Sequence, residues 1–144
     1  MDIAGAPFEK DFVAQLLPQK FPFVMVDRLY DYTENSLISG FKILEDNIFL
    51  DNEKLAEAGL VEHMAQSVAL HTGYQFFVKQ EPAPTGYIGS IKEIEIKALP
   101  RLNDEIRSTI NILHEFAGIT LVDISTTLNN VEIARGQMKT ILAK

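Results

Sequence analysis

Helix-like and strand-like spacing of apolar positions alternate along the chain. Phe8, Phe12, Val13, Leu16 and Leu17 recur at helical spacing, which predicts a short amphipathic helix over 8–17 that Pro18 ends. Residues 23–29 form an apolar run with Val24 and Val26 and predict a strand. Residues 37–44, LISGFKIL, predict a second, with the turn at Thr33–Ser36. Residues 46–52 are irregular and acidic, and 53–58 read as a helical turn. The segment 81–86, EPAPTG, breaks the chain. Four β-rich segments then follow at 87–99, 105–116, 120–128 and 131–142. Asn129-Asn130 separates the last two as a two-residue hairpin turn, and Ala117-Gly118 and 101–103 mark the other turns.

Between these halves lies the stretch the rest is built around, 59–78, GLVEHMAQSVALHTGYQFFV. Ala65, Ala69 and Gly73 recur every fourth residue and share one helical face, where small side chains let a backbone or sheet come close. Leu60, Val61, Met64, Val68 and Leu70 spread apolar groups around much of the remainder. A helix apolar nearly all round is normally buried. Its polar residues, from Glu62 and His63 to Gln75, interrupt it too often for a membrane span. The order predicts an α+β fold in which a curved antiparallel sheet wraps one long central helix, as a single domain over 1–144. Such a sheet leaves an edge strand that two copies can pair across, so a dimer is expected.

Composition narrows the function. The 144 residues include 13 Lys and Arg against 20 Asp and Glu, a formal net charge of −7, which argues against a nucleic-acid partner. There is no cysteine, so disulfides, thiolate nucleophiles and cysteine metal sites are excluded together. The opening MDIAGAPFEKDF has no basic segment followed by an apolar run, so a cytoplasmic protein is expected. There is no Gly-rich phosphate loop and no G-x-S-x-G elbow.

Three stretches carry a resemblance. LLPQKFPFVMVDR at 16–28 resembles the L-P-H-R-Y-P-F-L-L-V-D-R stretch of the (3R)-hydroxyacyl-acyl-carrier-protein dehydratases of fatty-acid synthesis. GLVEHMAQSVA at 59–69 resembles their helix motif G-V-L-x-x-E-A-M-A-Q, and LPRLNDEI at 99–106 their P-V-x-P-G-D-x-L turn. All three come in the family's order and span most of the chain. The resemblance implies the hot-dog fold, a dimeric unit or a higher assembly of dimers, and a tunnel for an acyl chain. It also implies a substrate carried on phosphopantetheine, from an acyl carrier protein or coenzyme A, with no further cofactor. The pattern looks most like the dehydratase-like proteins of aryl-polyene and related pigment pathways.

The family uses a Glu or Asp on the central helix, which Glu62 matches, and a Gln one turn later, which Gln66 matches. It also uses a His in an H-F-P-G loop before the helix. The corresponding stretch here, NIFLDNEKLAEAGL at 47–60, has neither His nor Pro-Gly, while His63 replaces the family Ala next to Glu62. Glu62 and His63 are thus the catalytic candidates. Gln66, Gly59, Leu60 and Val61 are the substrate-binding candidates, with amides at the helix start polarising a thioester carbonyl. Neighbouring side chains on a helix diverge by about 100°. Glu62 and His63 could therefore meet only across a dimer, through substrate or through water, and the plain alternative is a packed, hydrogen-bonded His63. His71 shares a face with His63, but no third metal ligand is identifiable and no metal is expected. His114 reads as a strand surface residue, Asp27 and Arg28 as a structural pair or cap, and Tyr74, Phe76 and Phe77 as core or tunnel wall.

Three functions stay open. A dehydratase removes water from a 3-hydroxyacyl thioester to give a 2-enoyl thioester and needs both a base and an acid. A hot-dog thioesterase needs only one carboxylate to activate water or attack the carbonyl. A non-catalytic acyl-binding protein, or the silent half of a heterodimer, needs neither.

Overall fold

The computed structural model describes residues 8–142; the opening residues read above for a leader lie mostly outside them. Helix α1 covers Lys10–Leu16, and strands β1 and β2 cover Arg28–Thr33 and Ser36–Lys42. A small ribbon of β3 (Leu50–Asp51) and β4 (Lys54–Leu55) leads into the long helix α2, Glu57–Val78. Strands β5 (Gly86–Ile96), β6 (Glu105–Phe116), β7 (Ile119–Leu128) and β8 (Val131–Leu142) complete the chain. The six long strands form one antiparallel sheet in the order β1-β2-β6-β7-β8-β5. With α2 packed on it, this is the predicted hot-dog architecture.

Local chemistry sets the boundaries. Pro18 pushes the preceding Leu17 into extended backbone (φ −106°, ψ 140°), and α1 stops at Leu16. Asn129 and Asn130 both take the left-handed conformation (φ 51° and 65°), as do Ala117 and Gly118 (φ 53° and 79°). These are the two-residue turns whose twist matches the flanking strands.

The sheet face under α2 is built from alternate residues in register. Leu37, Ser39 and Phe41 of β2 stand opposite Ile110, Ser108 and Ile106 of β6. Ile110 and Ser108 in turn face Ile124 and Thr126 of β7. All of these side chains are buried. From α2, Leu60, His63, Met64, Ser67, Leu70, His71 and Tyr74 are buried as well. Burying each large apolar side chain stabilises by about 1.5–3 kcal/mol relative to exposure, and α2 contributes several to this core. The row Ser39, Ser108 and Thr126 is a polar strip across three strands, placed where the alternation puts core residues.

Two predicted elements differ. The strand expected over 23–29 begins only at Arg28; residues 23–27 run alongside α2, whose side chains take up Met25's backbone groups. Of the helical turn expected over 53–58, Glu57 and Ala58 do form the start of α2, while 53–55 are the tip and second strand of the β3-β4 ribbon, with Asn52 and Glu53 at φ 49° and 63°. Its backbone is claimed elsewhere: Leu55 donates to the Pro100 carbonyl at 2.8 Å, and the Glu53 carbonyl accepts from Leu102 at 2.8 Å.

The small-residue face of α2 serves two ends. A Cβ on Gly73 would come within 2.1 Å of the Leu16 carbonyl oxygen, so glycine is what lets α1 dock there. The aromatic end of α2 joins the same contact, with Phe12 edge-on to Phe77 at 5.0 Å and Tyr74 near Phe8 at 5.8 Å. Higher up, Ala65 and Ala69 leave space.

Candidate functional site

That space is a cleft of about 470 Å³. Its floor is Ala65, Val68, Ala69 and Thr72 of α2; one wall is residues 15–19 and the other residues 83–88. Glu62 is the only carboxylate among the lining residues, which include no histidine. Gln15, Gln19, Thr72, Thr85 and Thr140 add neutral polar groups to an otherwise apolar lining. A cleft of mixed apolar and polar lining with one acid can hold an organic substrate beside that acid.

Glu62 is half-buried, and its carboxylate is held from one side. Gln66, one turn further along α2, donates from Nε2 to Glu62 Oε2 at 2.8 Å. The same Nε2 donates to the Phe23 carbonyl at 2.8 Å, and Gln66 Oε1 accepts from the Met25 N–H at 2.6 Å. This set fixes the amide's orientation. Its oxygen must face the backbone donor and its nitrogen the two acceptors. Gln66 is fully buried and does not line the cleft.

His63 points the other way, into the core. Its Nδ1 lies 2.7 Å from the Met25 carbonyl and its Nε2 2.8 Å from Ser108 Oγ. A carbonyl only accepts, so Nδ1 carries the proton and Nε2 accepts from Ser108, which in turn accepts from Thr126 at 2.6 Å. The ring is completely buried and lies near Phe41. Burial pushes its pKa down to about 4, against the opposing hydrogen bond to the Met25 carbonyl, so the ring is neutral. Ser67 donates to the His63 carbonyl at 2.8 Å and takes Ser39's hydroxyl at 2.7 Å.

The structure therefore brings Glu62 and Gln66 together but not Glu62 and His63, as the angle between adjacent helix positions requires. Gly59, Leu60 and Val61 do not line the cleft. The Gly59 and Leu60 amides both donate to the Ala56 carbonyl, at 3.0 and 3.1 Å. Gly59 packs so closely on Phe49 that a Cβ would come within 2.6 Å of it.

The remaining candidates have structural placements. His71 approaches the Thr33 carbonyl at 3.0 Å through Nε2 and stacks on Tyr32 at 4.8 Å; burial lowers its pKa. His114 is exposed on β6. Asp27 Oδ2 accepts from the Lys42 N–H at 3.2 Å, while burial raises the carboxyl's pKa. Arg28 reaches the Asp27 carbonyl rather than its carboxylate. The site feature the sequence reading missed is the Met25 peptide, clamped by His63 and Gln66. The spacing of those two, three apart on one helix face, was the available signal.

Comparison with known proteins gives a consistent picture. The family model described as ApeP-like, ApeP dehydratase, matches residues 12–142. The 3-hydroxyacyl-[acyl-carrier-protein] dehydratase FabZ of Vibrio cholerae is 24% identical over 133 residues, covering 88% of this chain and 86% of its own. The FabZ of Salmonella arizonae is 27% identical over 123 residues, covering 77% and 81%. Among solved structures, the dehydratase heterocomplex ApeI:P from Xenorhabdus doucetiae superposes with a TM-score of 0.85 at 15% identity, covering 92% of this chain and 91% of that one. A hypothetical thioesterase from Streptococcus pneumoniae, solved with coenzyme A, superposes with a TM-score of 0.65 at 10% identity, covering 80% and 84%. At these identities the structural likeness establishes the hot-dog fold.

Proposed function

This chain belongs to the ApeP-like family of dehydratases, and from that premise we propose that it works on 3-hydroxyacyl thioesters, with Glu62 as its proton-transfer group. The observation that carries the reading is the lone carboxylate of the cleft, oriented by Gln66. Dehydration breaks a C–H bond at C2 and the C–O bond at C3, forms the C2–C3 double bond and releases water. One group must take the C2 proton and one must protonate the departing hydroxyl. Glu62 supplies one of these roles. The acyl chain lies along the apolar floor, carried on the phosphopantetheine of an acyl carrier protein or of coenzyme A. No helix of the described residues is long and apolar enough to cross a membrane.

The second group comes from a second chain. No histidine lines the cleft, and His63 is spent on the Met25 carbonyl and Ser108. Strand β5 is the terminal strand of the sheet, and Tyr87, Ile88 and Ile91 on it are 60%, 41% and 44% exposed. Tyr87 and Ile88 also line the cleft, so a chain paired along β5 adjoins it. The opposite edge, β1, is partly covered by the backbone of Phe8, paired with Leu29. The partner is a second copy or a histidine-bearing dehydratase; the heterocomplex nature of ApeI:P favours the latter.

The test is incubation with a 3-hydroxyacyl thioester or its 2-enoyl product, alone and with a histidine-bearing dehydratase. Interconversion supports the proposal. Release of free thiol makes the protein a thioesterase. Silence in both conditions, with acyl-carrier binding retained, makes it a binding subunit.

A further inference from the structure

The role of His63 is separable from proton transfer. We propose that His63 is a positioning residue: by clamping the Met25 peptide against α2 it holds the template on which Gln66, and through Gln66 the Glu62 carboxylate, is oriented. The activity arm of its test rests on the dehydratase reading above.

The clamp has two jaws from one helix face. His63 Nδ1–H donates to the Met25 carbonyl, and Gln66 Oε1 accepts from the Met25 N–H. Both backbone groups of one residue, in a segment that belongs to no strand, are thus satisfied by α2 side chains three positions apart. Backbone hydrogen bonds tie the residues on either side of Met25 as well. Phe23 donates to the Lys20 carbonyl at 2.8 Å and Asp27 to the Gly40 carbonyl at 3.0 Å. The Met25 and Val26 side chains are buried in the core while Phe21 and Phe23 are 74% and 57% exposed, so packing holds one end of the segment and the clamp fixes how the Met25 peptide is turned.

The clamp's far end is anchored in the sheet. Ser108 and Thr126 are opposite one another in the β6-β7 register, fully buried, and terminate the hydroxyl chain on His63 Nε2. Removing the imidazole would leave the Met25 carbonyl and Ser108 unsatisfied in the core, and a peptide shift is the cheapest way to rehydrate the former. That shift would carry the Met25 N–H away from Gln66 Oε1. Nothing would then prevent the amide from turning, and Glu62 would lose its one hydrogen bond among the described residues. No titratable group other than the neutral ring takes part in the clamp, and the ring never faces the cleft.

Two substitutions split the imidazole into its halves. In His63→Asn the side-chain amide nitrogen falls near the position of Nδ1 and can still donate to Met25, while the Ser108 arm is lost. In His63→Gln the terminal group falls near Nε2 and keeps the Ser108 arm, while the Met25 arm is lost. His63→Leu removes both. The readouts are kcat and KM for 3-hydroxyacyl thioester dehydration in the complete assembly, and the side-chain amide resonances and exchange rates of Gln66 by NMR, on variants whose folding is checked by circular dichroism. The expected result is that His63→Gln and His63→Leu lower kcat about 10- to 100-fold with little change in KM, the scale of a small misplacement of a reacting group. Gln66's amide protons exchange faster in both, and His63→Asn restores most of kcat and Gln66 protection. Equal damage in all three variants, or wild-type kcat and Gln66 protection in His63→Gln, overturns the proposal. If the wild type does not dehydrate the thioester in any assembly, the functional reading fails, and the Gln66 exchange pattern alone still decides whether His63 holds the clamp.

Discussion

At the residue scale, the identity of a side chain and the direction it faces carry different information. Glu62 and His63 stood out in the sequence because a carboxylate and an imidazole are costly on an apolar helix unless paired, and Gln66 by its match to the family motif. Which way each points depends on what α2 packs against. Ser39, Ser108 and Thr126 look like ordinary strand residues until register puts all three in one buried row, with Ser39 meeting Ser67 and Ser108 meeting His63. This buried imidazole has a consequence in solution. Its pKa in the folded protein, about 4, lies below the ordinary 6.5, so the unfolded chain binds the extra proton as pH falls. Stability is therefore undiminished by this group above 6.5 and falls between 6.5 and about 4, by about 3 kcal/mol in total. Urea unfolding across that interval should show a steeper loss for the wild type than for His63→Gln. Parallel pH profiles would mean that the ring is not buried in its neutral form.

Gln66 gives a second prediction at this scale. Gln66→Glu replaces the donor to Glu62 and Phe23 with an acceptor, placing two carboxylates against each other in a buried position. A destabilisation on the order of 1–3 kcal/mol is expected from the unmet buried groups alone. Gln66→Glu with wild-type thermal stability would contradict the hydrogen bonds from Gln66 Nε2 to Glu62 and the Phe23 carbonyl.

At the element scale, sequence patterns performed well where one physical cause dominated. Strands β6 and β7 end where the turn residues Ala117-Gly118 and Asn129-Asn130 force them to, and Pro18 ended α1. Residues 23–27, an apolar run that suits a strand, and 53–55, which suit a helix, misled because their backbone groups bond to α2 side chains and to the 100–102 loop. The small-residue face was read correctly for close approach at Gly73. At Ala65 and Ala69 the same small size makes a cleft floor. Gly73→Ala should therefore destabilise by about 1–3 kcal/mol, because the new methyl meets the Leu16 backbone rather than a flexible side chain. A calorimetric melting temperature equal to the wild type's would show that α1 does not dock as described.

At the scale of the whole molecule, an edge strand on a sheet was foreseeable from strand count and order; which strand it is came only with the topology. Strand β5 presents Ile88 and Ile91 at an unpaired edge, where a lysine is a strong deterrent to pairing. Ile91→Lys should shift the assembly toward monomer in sedimentation velocity while preserving the fold. An unchanged assembly would place the interface elsewhere. The family motif supplied the helix carboxylate, while the missing loop histidine could be judged only once the structure showed that no histidine lines the cleft among the described residues.

The central claim is that Glu62 moves a proton in thioester dehydration. Glu62→Gln is nearly isosteric, so it tests chemistry rather than packing. The measurement is the turnover of a 3-hydroxyacyl thioester to its 2-enoyl product by the active assembly containing wild-type or Glu62→Gln protein. A fall of about 100- to 10,000-fold with the fold and assembly intact is the predicted result. Turnover equal to the wild type's in an intact assembly would place the proton-transfer group elsewhere and contradict the account.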